Sequence, residues 1–212
     1  MTTDTDIDAG WARFAAEAAY ADSIVRSAIG DVEASIACLE EALEALPTYA
    51  PAIATLGSID YQVDDEVTGW RRFMSLLDLP DDDGDLAEIV DKAGDFLISL
   101  GRYEDGLELY QRATARYPDI PALHQGMSCC AGHEGHHELA IAASERALEL
   151  APDDQELVND LGWSLFEAGR LDEALVHLEL AVAMDPEDAL ATENLRFCRE
   201  TRRGSSREAD AG

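Results

Sequence analysis

A spacing of 34 residues recurs through this chain, and no other feature restricts its fold as tightly. Gly169 stands 34 residues after Gly135 and twice that after Gly101. Ala174 follows Ala140 and Gly106 at the same interval, Ala181 follows Ala147 and Ala113, and Pro186 follows Pro152 and Pro118. Each mark has a mechanical role. Small residues let two helices approach, glycine turns the chain between them, and proline ends the second helix. The clearest copy is Gln155 to Asp188, with one helix up to Gly169 and another from near Leu171 to Pro186. A unit repeated in this way buries its apolar face only against its neighbours, so the array stacks and its ends need caps.

Leu161-Gly162 falls on Ala93-Gly94 two intervals earlier, with Met127-Ser128 between them. A Leu-Gly or Ala-Gly pair in the first helix, two small residues in the second and a closing proline resemble the tetratricopeptide repeat. The resemblance covers about four-fifths of the chain. It implies an all-α fold, an α-solenoid in which antiparallel helix hairpins wind into a right-handed superhelix. The expected organisation is an N-terminal tail and helix start at 1–15, then five repeats over 16–188, at 16–49, 50–82, 87–120, 121–154 and 155–188. A capping helix at 189–203 and a disordered tail at 204–212 complete it. The first repeat lacks the Leu-Gly pair. Leu56-Gly57 stands 37 residues before Ala93-Gly94, so the acidic run Asp81 to Asp85 reads as a lengthened loop between repeats.

Charge limits the partners. Forty-five acidic residues against 15 basic ones give a net charge of −30. Such a surface repels the phosphates of nucleic acid and the anionic leaflet of a membrane. The first residues, MTTDTDIDAG, have neither a basic nor an apolar signal region, and no apolar run is long enough to span a bilayer. These features predict a cytoplasmic protein. Cys38, Cys129, Cys130 and Cys198 form no CxxC pair and read as reduced thiols.

The resemblance implies that a concave groove, lined mainly by the first helix of each repeat, holds a peptide or protein segment. Transferred position by position, it marks Tyr61, Glu88, Asp91, Asp95, Gln125, Asn159, Trp163 and Phe166 as partner-binding. No Lys or Arg stands at any groove position, so the carboxylate clamp that grips a chaperone tail elsewhere in the family is not expected. The expected ligand carries Arg or Lys facing Asp91 and Asp95, with an apolar part on Trp163 and Phe166. Two plainer accounts compete: the carboxylates are simply solvated, and the aromatic pair packs against the capping helix. The function expected is a non-catalytic adaptor or scaffold. A dedicated chaperone for one secretion or assembly client, or self-association through an edge repeat, would use the same architecture.

One segment has the composition of a metal or redox site: Cys129, Cys130, His133, His136 and His137 within CCAGHEGHH. The repeat register spreads these residues over a helix end, a turn and a helix start, so the reading favours no metal and no cofactor. No phosphate loop, nucleophile elbow or HExxH run is present, and no catalytic residue is expected.

Overall fold

The computed structural model describes residues 4–80 and 84–211, and side chains from 8 to 204 within them. Its helices are α1 (Asp4–Ala28), α2 (Val32–Ala45), α3 (Ala50–Gln62), α4 (Glu66–Leu76), α5 (Leu86–Ser99), α6 (Tyr103–Arg116), α7 (Pro121–His133), α8 (His137–Leu150), α9 (Gln155–Glu167), α10 (Leu171–Met184) and α11 (Ala189–Ala211). No strand occurs among the described residues. The chain is an all-α solenoid of helix hairpins.

Local chemistry sets the boundaries. Asp31, Asp65 and Asp154 cap α2, α4 and α9 through side-chain oxygens that accept from Ala34 N–H, Thr68 N–H, and the N–H groups of Glu156 and Leu157. Pro51 and Pro121 sit in the first turns of α3 and α7, where a missing N–H costs nothing. At the other end, Leu46, Tyr117, Ala151 and Asp185 each precede a proline. That proline excludes helical backbone at the residue before it, and all four leave the helix with ψ between 69° and 96°. The turn within each hairpin is also repeated. Asp31, Asp65, Arg102, His136 and Arg170 donate their N–H to the carbonyls of Arg26, Asp60, Leu97, Ala131 and Leu165, the six-residue closure of a Schellman motif.

The chain forms two compact units, Met1–Phe96 and Leu97–Gly212. In the first, α1 pairs with α2 and α3 with α4, and Ala16 of α1, Leu39 and Ala42 of α2, and Ala52 and Leu56 of α3 form one core group. A second group stacks Phe73 on Tyr61 at 5.6 Å between ring centroids, with Phe96 edge-on to both. In the second unit, α7 pairs with α8, α9 with α10, and α11 lies on α10 and α9. Its core joins Ile141, Leu161, Leu165, Ala174, Leu175 and Leu178 to Leu195 and Cys198 of α11, so α11 covers the apolar face of the last hairpin.

Two boundary expectations change. Helix α11 continues to Ala211, eight residues beyond the expected end at 203, and the expected tail 204–211 is helical. The run Glu200–Arg203 and Arg207–Ala211 is rich in helix formers, which offset the roughly 1 kcal/mol cost of Gly204. At the other end α1 starts at Asp4, so most of the expected N-terminal tail is helix. Residues Asp81–Asp83 of the expected loop, and Met1–Thr3 and Gly212 of the tails, lie outside the described residues.

Candidate functional site

Helix α9 places Glu156, Asn159 and Asp160 on one side of a concavity of about 640 Å³ in the 97–212 unit. Gln125 of α7 closes one wall, and Asp185, Glu187, Asp188 and Leu190 at the start of α11 close the other. The lining therefore holds five carboxylates and no Lys or Arg. Amides bridge it at repeat spacing. Gln125 Nε2 donates to Asp160 Oδ2 at 2.8 Å, Gln155 Nε2 to Asp188 Oδ2 at 2.9 Å, and Asn194 Nδ2 to Asn159 Oδ1 at 3.1 Å.

The carboxylates fall into two electrostatic classes. Asp188 caps α11, accepting from Leu190 N–H as well as Gln155, and these hydrogen bonds hold its pKa below the usual value. Asp160 goes the other way: burial raises its pKa, and the bonds from Gln125 and Asn159 only partly oppose that. A carboxylate held this way is less stable charged in the folded protein than in water, a property concentrated at functional sites.

The residues expected from the sequence divide by position. Gln125 and Asn159 line this concavity. Asn159 is only 3% exposed, so it braces the wall through Asn194 more than it offers a surface. Trp163 is half-buried one turn after Asn159, its ring 4.9 Å from that of Phe166. Phe166 is partly buried and packs against the core cluster of this unit.

In the other unit Tyr61 does not line a groove. It is 6% exposed and stacked on Phe73, because the second repeat fills its core with three aromatic rings. Glu88 is exposed and ion-paired to Lys92 at 2.5 Å, which lowers its pKa. Lys92 itself lines a cavity of about 350 Å³ with Tyr20, Pro51, Ala54 and Ser58. Lys92 thus brings a cation to a cavity of this unit from a position outside the transferred groove set. Asp91 is partly buried and Asp95 exposed, and neither lines that cavity.

Asp160 was missed because the repeat register assigns its position to internal packing. The equivalent residues before the other pairs are Thr55, Lys92 and Gly126, so nothing at this position in the sequence singles Asp160 out. The Cys129–His137 segment does not converge. Cys130 is buried, Cys129 is exposed, and His133 stacks on Tyr103 at 3.8 Å between centroids. Among the described residues no group of three His, Cys, Asp or Glu side chains is placed to hold a metal ion.

Repeated hairpins, a helix covering the last of them and a polar concavity built largely from first helices define a helical-repeat architecture. A tetratricopeptide-repeat family model matches residues 133–193. The small glutamine-rich tetratricopeptide repeat-containing protein 2 of Mycosarcoma maydis is 26% identical over 126 residues, covering 59% of this chain and 36% of that protein. The human protein O-mannosyl-transferase TMTC1 is 25% identical over 147 residues, 51% of this chain and 17% of that one. The chain thus spans about a third or less of these curated relatives. Among solved structures, YrrB, described as a TPR protein with an unusual peptide-binding site, superposes with a TM-score of 0.59 at 20% identity, over 82% of this chain and 89% of that one. The first TPR of Spaghetti (RPAP3), bound to HSP90 peptide SRMEEVD, superposes with a TM-score of 0.52 at 19% identity, over 55% and 93%. The fold is that of tetratricopeptide-repeat proteins, and residues 133–193 carry the repeat that the family model describes. Among its described residues no helix is long and apolar enough to cross a membrane.

Proposed function

We propose that this protein is a non-catalytic interaction module, an adaptor or scaffold, that holds a partner segment carrying a basic residue next to an apolar one. The basic group enters the concavity between Glu156 and Asp160, and the apolar residue rests on Trp163, which lies one turn from Asn159 on the same helix face. The carrying observation is Asp160, a carboxylate whose pKa burial raises within a lining of five carboxylates and no cation. An incoming guanidinium would relieve that cost and gain bidentate hydrogen bonds. Several structural neighbours are peptide binders by description. The HSP90 peptide SRMEEVD bound by one of them ends in the acidic run EEVD, and a tail of that charge would be repelled by this lining. None of the four cysteines is in a disulfide, in keeping with a reducing cytoplasm.

The test is a displayed random-peptide library selected on the purified protein, then on an Asp160→Asn, Glu156→Gln variant. Selection should enrich Arg or Lys next to an aromatic or aliphatic residue, and affinity for the enriched peptides should fall about tenfold or more in the variant. Peptides without a basic residue, or equal binding by both proteins, would overturn the proposal.

A further inference from the structure

Helix α1 carries two faces of opposite fate. Ala16 and Ser23 are buried, and Ala19 and Tyr20 pack toward the core of the first unit. The outer face is apolar as well. Trp11 is 67% exposed, Phe14 62% and Val25 59%, and Ala18, Ala21 and Ala28 are exposed between and beyond them. The rings of Trp11 and Phe14 meet edge to face with centroids 6.0 Å apart. These six positions advance by alternate steps of three and four, the seam of a coiled coil, over about 26 Å of helix at 1.5 Å per residue.

We infer that this face is an isologous dimer interface, in which α1 of one copy lies antiparallel against α1 of a second. A two-fold interface must be complementary to itself, so each residue needs a suitable partner when the helix is laid against its own reverse. Pairing about the midpoint between Ala18 and Ala21 sets Trp11 on Ala28 of the second copy, Phe14 on its Val25 and Ala18 on its Ala21. Bulky side chains meet small ones at the ends and alanines meet at the centre, where the backbones can approach closely. The flanking charges agree. The antiparallel arrangement sets Glu17 opposite Ile24 and Asp22 opposite Ala15. A parallel one would oppose Glu17 to Asp22 and stack both aromatic pairs at one end. A seam almost without charge, on a chain of net charge −30, also gives two copies one of the few faces on which they can meet without strong repulsion.

The test is the mass in solution of the full chain, followed by light scattering across a dilution series, for wild type and for Ala18→Lys and Ala21→Glu, with helicity checked by circular dichroism. Wild type is expected at twice 23.0 kDa and each single variant at 23.0 kDa with unchanged helicity. Mixing the two variants should restore the doubled mass, because the antiparallel register sets position 18 of one copy against position 21 of the other, where the introduced charges are opposite. A wild type that stays monomeric overturns the inference. So does a dimer that survives both substitutions, or a mixture that stays monomeric.

Discussion

Asp64 adopts φ 63°, the left-handed backbone that Gly30, Gly101, Gly135 and Gly169 supply in the other hairpin turns. A Cβ in that conformation costs about 1 kcal/mol, less for Asp than for most residues. Asp64→Gly should therefore stabilise the protein by about 0.5–1 kcal/mol, read as a rise in thermal midpoint; a fall would mean that the Asp64 side chain contributes more than its backbone costs. Asp160 predicts a stabilisation with a pH signature. Its folded pKa lies above the ordinary 3.8. Between those two values the folded state holds a proton that the unfolded state has lost, so stability falls as pH rises through this window and stays lower above it. Asp160→Asn removes this loss. The variant should be more stable than wild type at neutral pH, and the difference should vanish as pH falls below 3.8. Parallel melts of both proteins from neutral to acid pH would show it, and a constant difference would remove the electrostatic explanation. A gain in stability with a loss of binding is the trade-off expected of a functional carboxylate.

At the scale of the helix pair, the repeat tolerates exchange wherever contact geometry is preserved. Gly162 of α9 lies against Leu178 of α10, where a Cβ would come 2.7 Å from the Leu178 Cγ. One repeat earlier the equivalent residues are Ser128 and Ser144. Their hydroxyls are 2.6 Å apart, and Ser164 joins them at 3.2 and 3.0 Å, so a polar contact replaces the steric one. The closest approach on α7 moves to Gly126, where a Cβ would overlap the fully buried Tyr110 ring. Gly126→Ala should cost about 1–3 kcal/mol by overpacking, although alanine is the better helix former. Denaturant titration would measure it, and a stabilised variant would show that Tyr110 can move aside. The sequence displays Gly162 through the family pair, and it displays the hairpin turns through their spacing. It does not display Gly126 or the serine cluster, because those depend on which side chain of the neighbouring helix arrives at the contact.

On the scale of the whole chain, periodicity reports a fold better than it reports a surface. The spacing of glycines and prolines sufficed to place the hairpins because those residues act on their own backbone. The candidate site depends on groups that converge from α7, α9 and the start of α11, and only Gln125 and Asn159 of the expected residues reach it. Tyr61 turned inward because two further aromatic rings were available to pack with it. Net charge is the one surface property that the sequence does give in full, and it makes a prediction with two opposite signs. At −30 the folded chain repels itself, so adding monovalent salt should raise the thermal midpoint as the screening length falls from about 30 Å at 0.01 M to about 8 Å at 0.15 M. The same screening weakens attraction for a basic partner, so association with an Arg-bearing peptide should slow over the same range. Melting curves and stopped-flow binding in one salt series would test both. A midpoint that rises while the association rate falls supports a chain whose charge is held against folding for the sake of recognition. A rate that does not change with salt would separate the charge from binding and leave it only a role in solubility.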